Sequence, residues 1–151
     1  MSRRVIALAL ALGALAVGVP GSQGADTGSV TATVVPSPFS VVLALTPTKV
    51  SAGKPATATA RATNLGSAPI TQVELLLRAD PSGFTVTGRN PRAFTRVGVG
   101  KSVDAEWRLC ARVPTVYIVV ARARGTLPSG ALASAESPAR LLTVTGPPRA
   151  C

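Results

Sequence analysis

Few residues in this chain have chemistry to offer: six acidic side chains, two cysteines, one tryptophan and one tyrosine, with no histidine at all. Histidine is the commonest general base and metal ligand. Without it neither a Ser-His-Asp nor a Cys-His centre can be built, nor a histidine-ligated zinc or copper site. The single methionine is Met1, which removes methionine-ligated copper as well. Asp104 and Glu106 are the one close acidic pair. Two positions apart on a strand, they share a face with side-chain bases roughly 7 Å apart, near the carboxylate separation of glycosidases. Those enzymes set their carboxylates across a cleft beside aromatic platforms. Here Arg108 follows on the same face and aromatics are scarce, so the pair reads as solvated charge balanced by arginine. Trp107 and Tyr117 fall on the apolar faces of alternating segments, where core packing outweighs a ligand platform. Cys110 and Cys151 form no Cys-x-x-Cys motif, which favours a structural over a redox role. No catalytic, cofactor-binding or metal-ligating residue is predicted, and no enzyme.

The elements that carry these residues begin after a leader. Ser2-Arg3-Arg4 is a basic start and Val5–Val19 is apolar throughout. A bilayer span takes roughly 20 residues, so this stretch is short for one. Pro20-Gly21 breaks it, and Ser22-Gln23-Gly24 fits the small-x-small rule for signal peptidase. Residues 1–24 are therefore predicted to be a cleaved signal-peptide helix, the alternative being a retained anchor. Ile6 and Ala7 suit a twin-arginine signal poorly, so general secretion is preferred. After cleavage the chain has 14 Lys+Arg against 6 Asp+Glu and no further segment of transmembrane length. The cations are scattered singly, with no basic run interleaved with aromatics, so nucleic acid is not an expected partner. Attraction to an anionic wall polymer or phospholipid surface is compatible with the charge.

Residues 25–38, rich in Thr, Ser, Gly and Pro, read as a flexible linker. From 39 to 146 the period is two. Ala56, Ala58, Ala60 and Ala62 alternate with Thr57, Thr59, Arg61 and Thr63 up to Asn64. Asn64-Leu65-Gly66-Ser67 supplies turn residues, and Val73, Leu75 and Leu77 then oppose Gln72, Glu74 and Arg78. The expectation is an antiparallel pair made of these two strands, its apolar faces awaiting a partner sheet. Further strands are predicted at Phe39–Leu45, around Phe84 and Val86, around Phe94, at Lys101–Val113, at Thr115–Arg124, weakly at Ala131–Ala135, and at Arg140–Thr145. Residues 147–151 are a tail. Short strands at roughly 10-residue spacing without a helical period predict an all-β antiparallel β-sandwich of about seven to eight strands.

One succession of motifs has a familiar form. Gly53-Lys54-Pro55 leads into an alternating strand, then Asn64-Leu65-Gly66-Ser67-Ala68-Pro69, then Val73-Glu74-Leu75-Leu76-Leu77; Gly100-Lys101-Ser102 precedes the Trp107 strand, and Tyr117-Ile118-Val119-Val120-Ala121 follows. This resembles immunoglobulin-like modules of bacterial secreted proteins, especially the CARDB type (cell-adhesion-related domain found in bacteria). It is also similar to sandwich modules appended to secreted glycosidases. The resemblance implies an immunoglobulin-like fold and a cell-surface, adhesion or accessory binding role, with an unknown protein or cell-wall polymer as partner. Where such relatives carry acidic and Asn-rich residues, this chain reads Ala121-Arg122-Ala123-Arg124-Gly125, which argues against a calcium role. In an immunoglobulin-like sandwich the Trp-bearing strand and the final strand run toward the same pole. Cys110 and Cys151 are then expected to pair as a peripheral staple in an oxidising compartment, with a covalent dimer through Cys151 or free thiols as alternatives. The functional expectation is an exported, non-enzymatic module in the periplasm, cell envelope or medium. The alternative is a carrier or chaperone-like module that binds a peptide along a sheet edge.

Overall fold

The computed structural model describes residues Ser37–Cys151, and the expected signal peptide and most of the linker lie outside the described residues. Ten strands follow one another: β1 Phe39–Thr46, β2 Lys49–Ser51, β3 Pro55–Asn64, β4 Ile70–Asp80, β5 Phe84–Thr87, β6 Arg92–Val97, β7 Ser102–Ala111, β8 Val116–Thr126, β9 Leu132–Glu136 and β10 Arg140–Thr145. They form two sheets. One has the order β1-β3-β7-β5, the other β2-β10-β8-β4-β6, with β9 also paired to β8. All pairings are antiparallel except the short one between β2 and β10. The fold is the β-sandwich expected from the period-two pattern, in the immunoglobulin-like form that the resemblance implies. The described residues hold ten strands against the seven to eight expected: Lys49–Ser51, for which the pattern predicts no strand, adds a short piece at a sheet edge, and the weakly predicted Ala131–Ala135 strand forms as Leu132–Glu136, continuing the line of β10 along β8.

Alternation explains the layers. Phe39, Val41, Leu43 and Leu45 of β1 point inward, as do Val73, Leu75 and Leu77 of β4, and Tyr117, Val119, Ala121 and Ala123 of β8. The four alanines of β3 are fully buried. Ala58 stands opposite Trp107 in register, with Ala56 opposite Leu109 and Ala60 opposite Ala105. Small residues on one strand thus make room for the indole on the next, as close packing demands. Trp107 is 1% exposed, and its Nε1–H donates to the Arg89 carbonyl at 3.0 Å. A buried indole N–H without that partner would cost free energy.

The expected β3–β4 pair is not formed. β3 pairs with β1 and β7, while β4 lies in the other sheet between β8 and β6. The cause is Asn64, read from sequence as a turn residue and found to be completely buried. Its Nδ2 donates to the carbonyls of Ala68 at 2.8 Å and Val97 at 3.1 Å, and its Oδ1 accepts the Gly66 amide at 2.9 Å. Its backbone bonds to Lys101 and Gly100. One amide side chain therefore ties the β3–β4 crossing to the β6–β7 loop and lifts the chain from one sheet to the other. A two-residue hairpin leaves no space for such a hub.

Two further side chains fix corners. The Tyr117 hydroxyl donates to the Val113 carbonyl at 3.1 Å, a tyrosine corner at the start of the penultimate long strand. Asn90 accepts the Leu77 amide and donates to the Leu77 carbonyl, both at 2.9 Å, so it substitutes for a strand where β6 stops short of the end of β4.

Candidate functional site

Concavity and polarity coincide on the outer face of the second sheet. Thr71 pairs with Thr126 and Glu74 with Arg124, so Gln72 and Val73 together face the single residue Gly125. That two-against-one count is a β-bulge, a device that re-aims side chains and gathers next to functional sites. Gln72 has φ 49°, the one positive-φ non-glycine among the described residues. A side chain in the left-handed region carries strain. Gly125 is obligatory for contact reasons: a Cβ there would lie 2.6 Å from Ile70 Cγ2 and 3.1 Å from both the Thr71 carbonyl oxygen and Val73 Cγ2.

Around the bulge runs an open groove of about 640 Å³, with Gln72, Glu74, Phe94, Thr95, Arg124 and Leu132 among its walls. Arg124 Nε donates to Glu74 Oε2 at 2.6 Å, fixing both groups and neutralising them locally. Thr126 Oγ1 donates to Gln72 Oε1 at 3.3 Å, which leaves the Gln72 amide nitrogen to donate outward. Leu132, at 83% exposure, is the barest large apolar side chain described, while Phe94, in register with the buried Val73, packs against the core from the inner face of the same sheet. A second hollow, of about 670 Å³, opens at the pole beside Pro38, Leu65, Ala68, Leu127 and Pro128. It carries no charged or amide side chain.

The residues singled out from sequence lie elsewhere. Asp104 sits on the outer face of the first sheet, where Arg61 Nε donates to its Oδ1 at 2.7 Å and Arg61 Nη2 to its Oδ2 at 3.2 Å. The arginine that balances it is thus the cross-strand neighbour on β3, in register with it, and not Arg108. The hydrogen bond to Asp104, then its charge, holds the Arg61 guanidinium above its already high ordinary value. Glu106 is exposed opposite Thr59, and no aromatic platform or cleft joins the pair. Trp107 and Tyr117 are core residues. Cys110 and Cys151 are joined in a disulfide with Cα atoms 5.8 Å apart, and Cys110 is only partly buried on the face opposite Trp107. The tail that brings Cys151 there packs closely, since a Cβ on Gly53 would meet the Ala150 carbonyl oxygen at 2.6 Å, and the Arg149 amide donates to the Arg112 carbonyl. Among the described residues no group of three or more His, Cys, Asp or Glu stands in metal-ligand proximity, and no helix is long and apolar enough to cross a membrane.

Sequence reasoning placed Gln72, Glu74 and Arg124 on outward faces but did not join them. Their convergence depends on the β4–β8 register, and the bulge that sets it leaves no trace in a period-two pattern except the small residue at Gly125.

Among solved structures, the cupredoxin domain of amoB from Nitrosocaldus yellowstonii superposes with a TM-score of 0.51 at 11% identity, covering 73% of this chain and 88% of that one. A second similar structure is Spo0M, a sporulation control protein from Bacillus subtilis, with a TM-score of 0.42 at 12% identity over 74% of this chain and 51% of that one. At such identities the first likeness is one of fold, and a chain without histidine lacks the usual copper ligand. No curated protein matches the chain. A family model does: residues 50–126 match the NPCBM-associated, NEW3 domain of alpha-galactosidase. Of the two resemblances drawn from sequence, this match fits the sandwich modules of glycosidases and does not single out the CARDB type. Spanning β2 to β8 and including the β4 bulge, it makes this chain a member of the NPCBM-associated, NEW3 domain family.

Proposed function

We propose that the protein is an exported, non-enzymatic accessory module that holds an extracellular polymer, a polysaccharide in the first instance, through the groove at the β4 bulge. The observation that carries this reading is the strained Gln72, aimed into a groove whose only carboxylate among its described walls, Glu74, is already bound to Arg124. A carboxylate held as an ion pair is poorly placed for proton transfer, so binding is the better use of the site. Membership in a family described from alpha-galactosidase supports a saccharide as the first ligand to try. The disulfide supports residence in an oxidising compartment, in keeping with a signal peptide over residues 1–24. The basic surface adds a second, salt-sensitive attraction to anionic wall polymers.

The test is retention of the secreted form on immobilised polysaccharides and on isolated cell-wall material. Retention on either supports the module; indifference to all of them removes the reading. A second reading, peptide capture at a sheet edge, draws on β1. Among the described residues that strand has β3 on one side and no strand on the other, and Val42 on it and Leu141 nearby stand exposed, at 54% and 57%. Capture of extended peptides, lost in a Val42→Lys variant, would favour it.

A further inference from the structure

We infer that the β4-bulge groove is a subsite for an uncharged sugar residue, which lays its C–H face on Leu132 and presents its hydroxyls to Gln72, Glu74 and Thr95. This rests on the polymer-binding reading above and narrows it to one site and one ligand class. Three features of the walls select that class. The first is charge. This is a strongly basic protein, formally +10 over the whole chain, yet the cation in the groove is already engaged, Arg124 with Glu74 at 2.6 Å. Alongside, Arg122 lies 3.9 Å from Glu136. Because the pair carries no net charge, a uronate, a phosphate or an amino sugar would meet repulsion from one member along with attraction from the other, and so would gain neither a net counter-charge nor an unshared ion pair here. A neutral hydroxyl needs neither.

The second feature is the donor and acceptor set. The Gln72 amide, oriented through Thr126, offers N–H donors. The Glu74 oxygen not taken by Arg124 accepts, and the Thr95 hydroxyl does both. A pyranose hydroxyl, which both donates and accepts, can pair with any of these groups. The third is the apolar side. Leu132 is nearly bare, although β9 pairs it with Thr126 and holds it beside the polar groups. An exposed leucine at a rim of fixed polar groups is the usual make-up of a small-ligand cleft, and the groove falls within the volume range of such sites. The strain at Gln72 fits the same purpose, because in the extended conformation this side chain would not be carried across the mouth of the groove by the bulge.

The experiment uses the full secreted chain in affinity electrophoresis against two soluble polymers, galactomannan (neutral) and polygalacturonate (anionic). Three forms are compared: wild type, Gln72→Ala and Leu132→Ser, each checked for an unchanged melting temperature. Galactomannan is expected to retard the wild type, and each substitution to weaken that binding by roughly tenfold, the effect of losing one anchoring contact. Retardation by polygalacturonate is expected to vanish at about 0.5 M salt and to be equal in all three forms, as surface attraction is. If galactomannan binds all three forms equally, the ligand sits elsewhere: this inference fails and the polymer-binding reading survives. Groove-dependent binding of polygalacturonate would overturn the uncharged class. If neither polymer nor cell-wall material binds the wild type, the parent reading falls and takes this one with it.

Discussion

Asn64 and Gln72 are both side-chain amides near a change in chain direction, and they do opposite things. Asn64 is buried with three side-chain hydrogen bonds, so an Asn64→Ala change strands two carbonyls and one amide. The expected loss is on the order of 3 kcal/mol, read as a lowered denaturation midpoint with an unchanged slope. Gln72 is exposed and conformationally strained. Glycine adopts its φ freely, so Gln72→Gly is expected to hold stability or raise it by up to about 1 kcal/mol while weakening polysaccharide binding by roughly tenfold, as Gln72→Ala does. A fall in stability would mean that the side chain braces the bulge and is not kept for a ligand. Asp104 gives the contrasting case. Its pair with Arg61 is fully solvent-facing, at 63% and 50% exposure, so Asp104→Ala is expected to leave both the melting temperature and polymer binding unchanged.

At the level of strands, faces were legible and partners were not. The inward sets on β1, β3, β4, β7, β8 and β10 follow from alternation alone, because the side-chain period of an extended chain is fixed by its covalent geometry. Which strand lies beside which depends on side chains that act at a distance. Asn64 sends β4 to the far sheet, and nothing within Ala56–Leu77 distinguishes that outcome from a hairpin. The groove was hidden for the same reason. Glu74 and Arg124 are fifty positions apart in the chain and meet only once β4 and β8 are in register. Gly125 is the one local sign of the bulge. Gly125→Ala is expected to destabilise by about 1–3 kcal/mol through the contact with Ile70. It should also shift the β4 amide signals in a two-dimensional NMR spectrum.

Across the whole molecule the disulfide closes a loop of sequence separation 41 between the last residue of the chain and a strand of the opposite sheet from β10. By the chain-entropy estimate this contributes about 4 kcal/mol, so reduction, or Cys151→Ser, is expected to lower the melting temperature by roughly 15 °C. A change of only a degree or two would mean that the tail is held by its packing on Gly53. The bond also decides how the protein would bear tension. A pull on residue 151 reaches Cys110 in β7, between β3 and β5, before it reaches β10, which could otherwise be peeled from β8 one hydrogen bond at a time. With the sulfurs joined, the load enters β7, which is held by its ladders to both β3 and β5. Single-molecule stretching from residue 151 is expected to show a lower rupture force after reduction than before it.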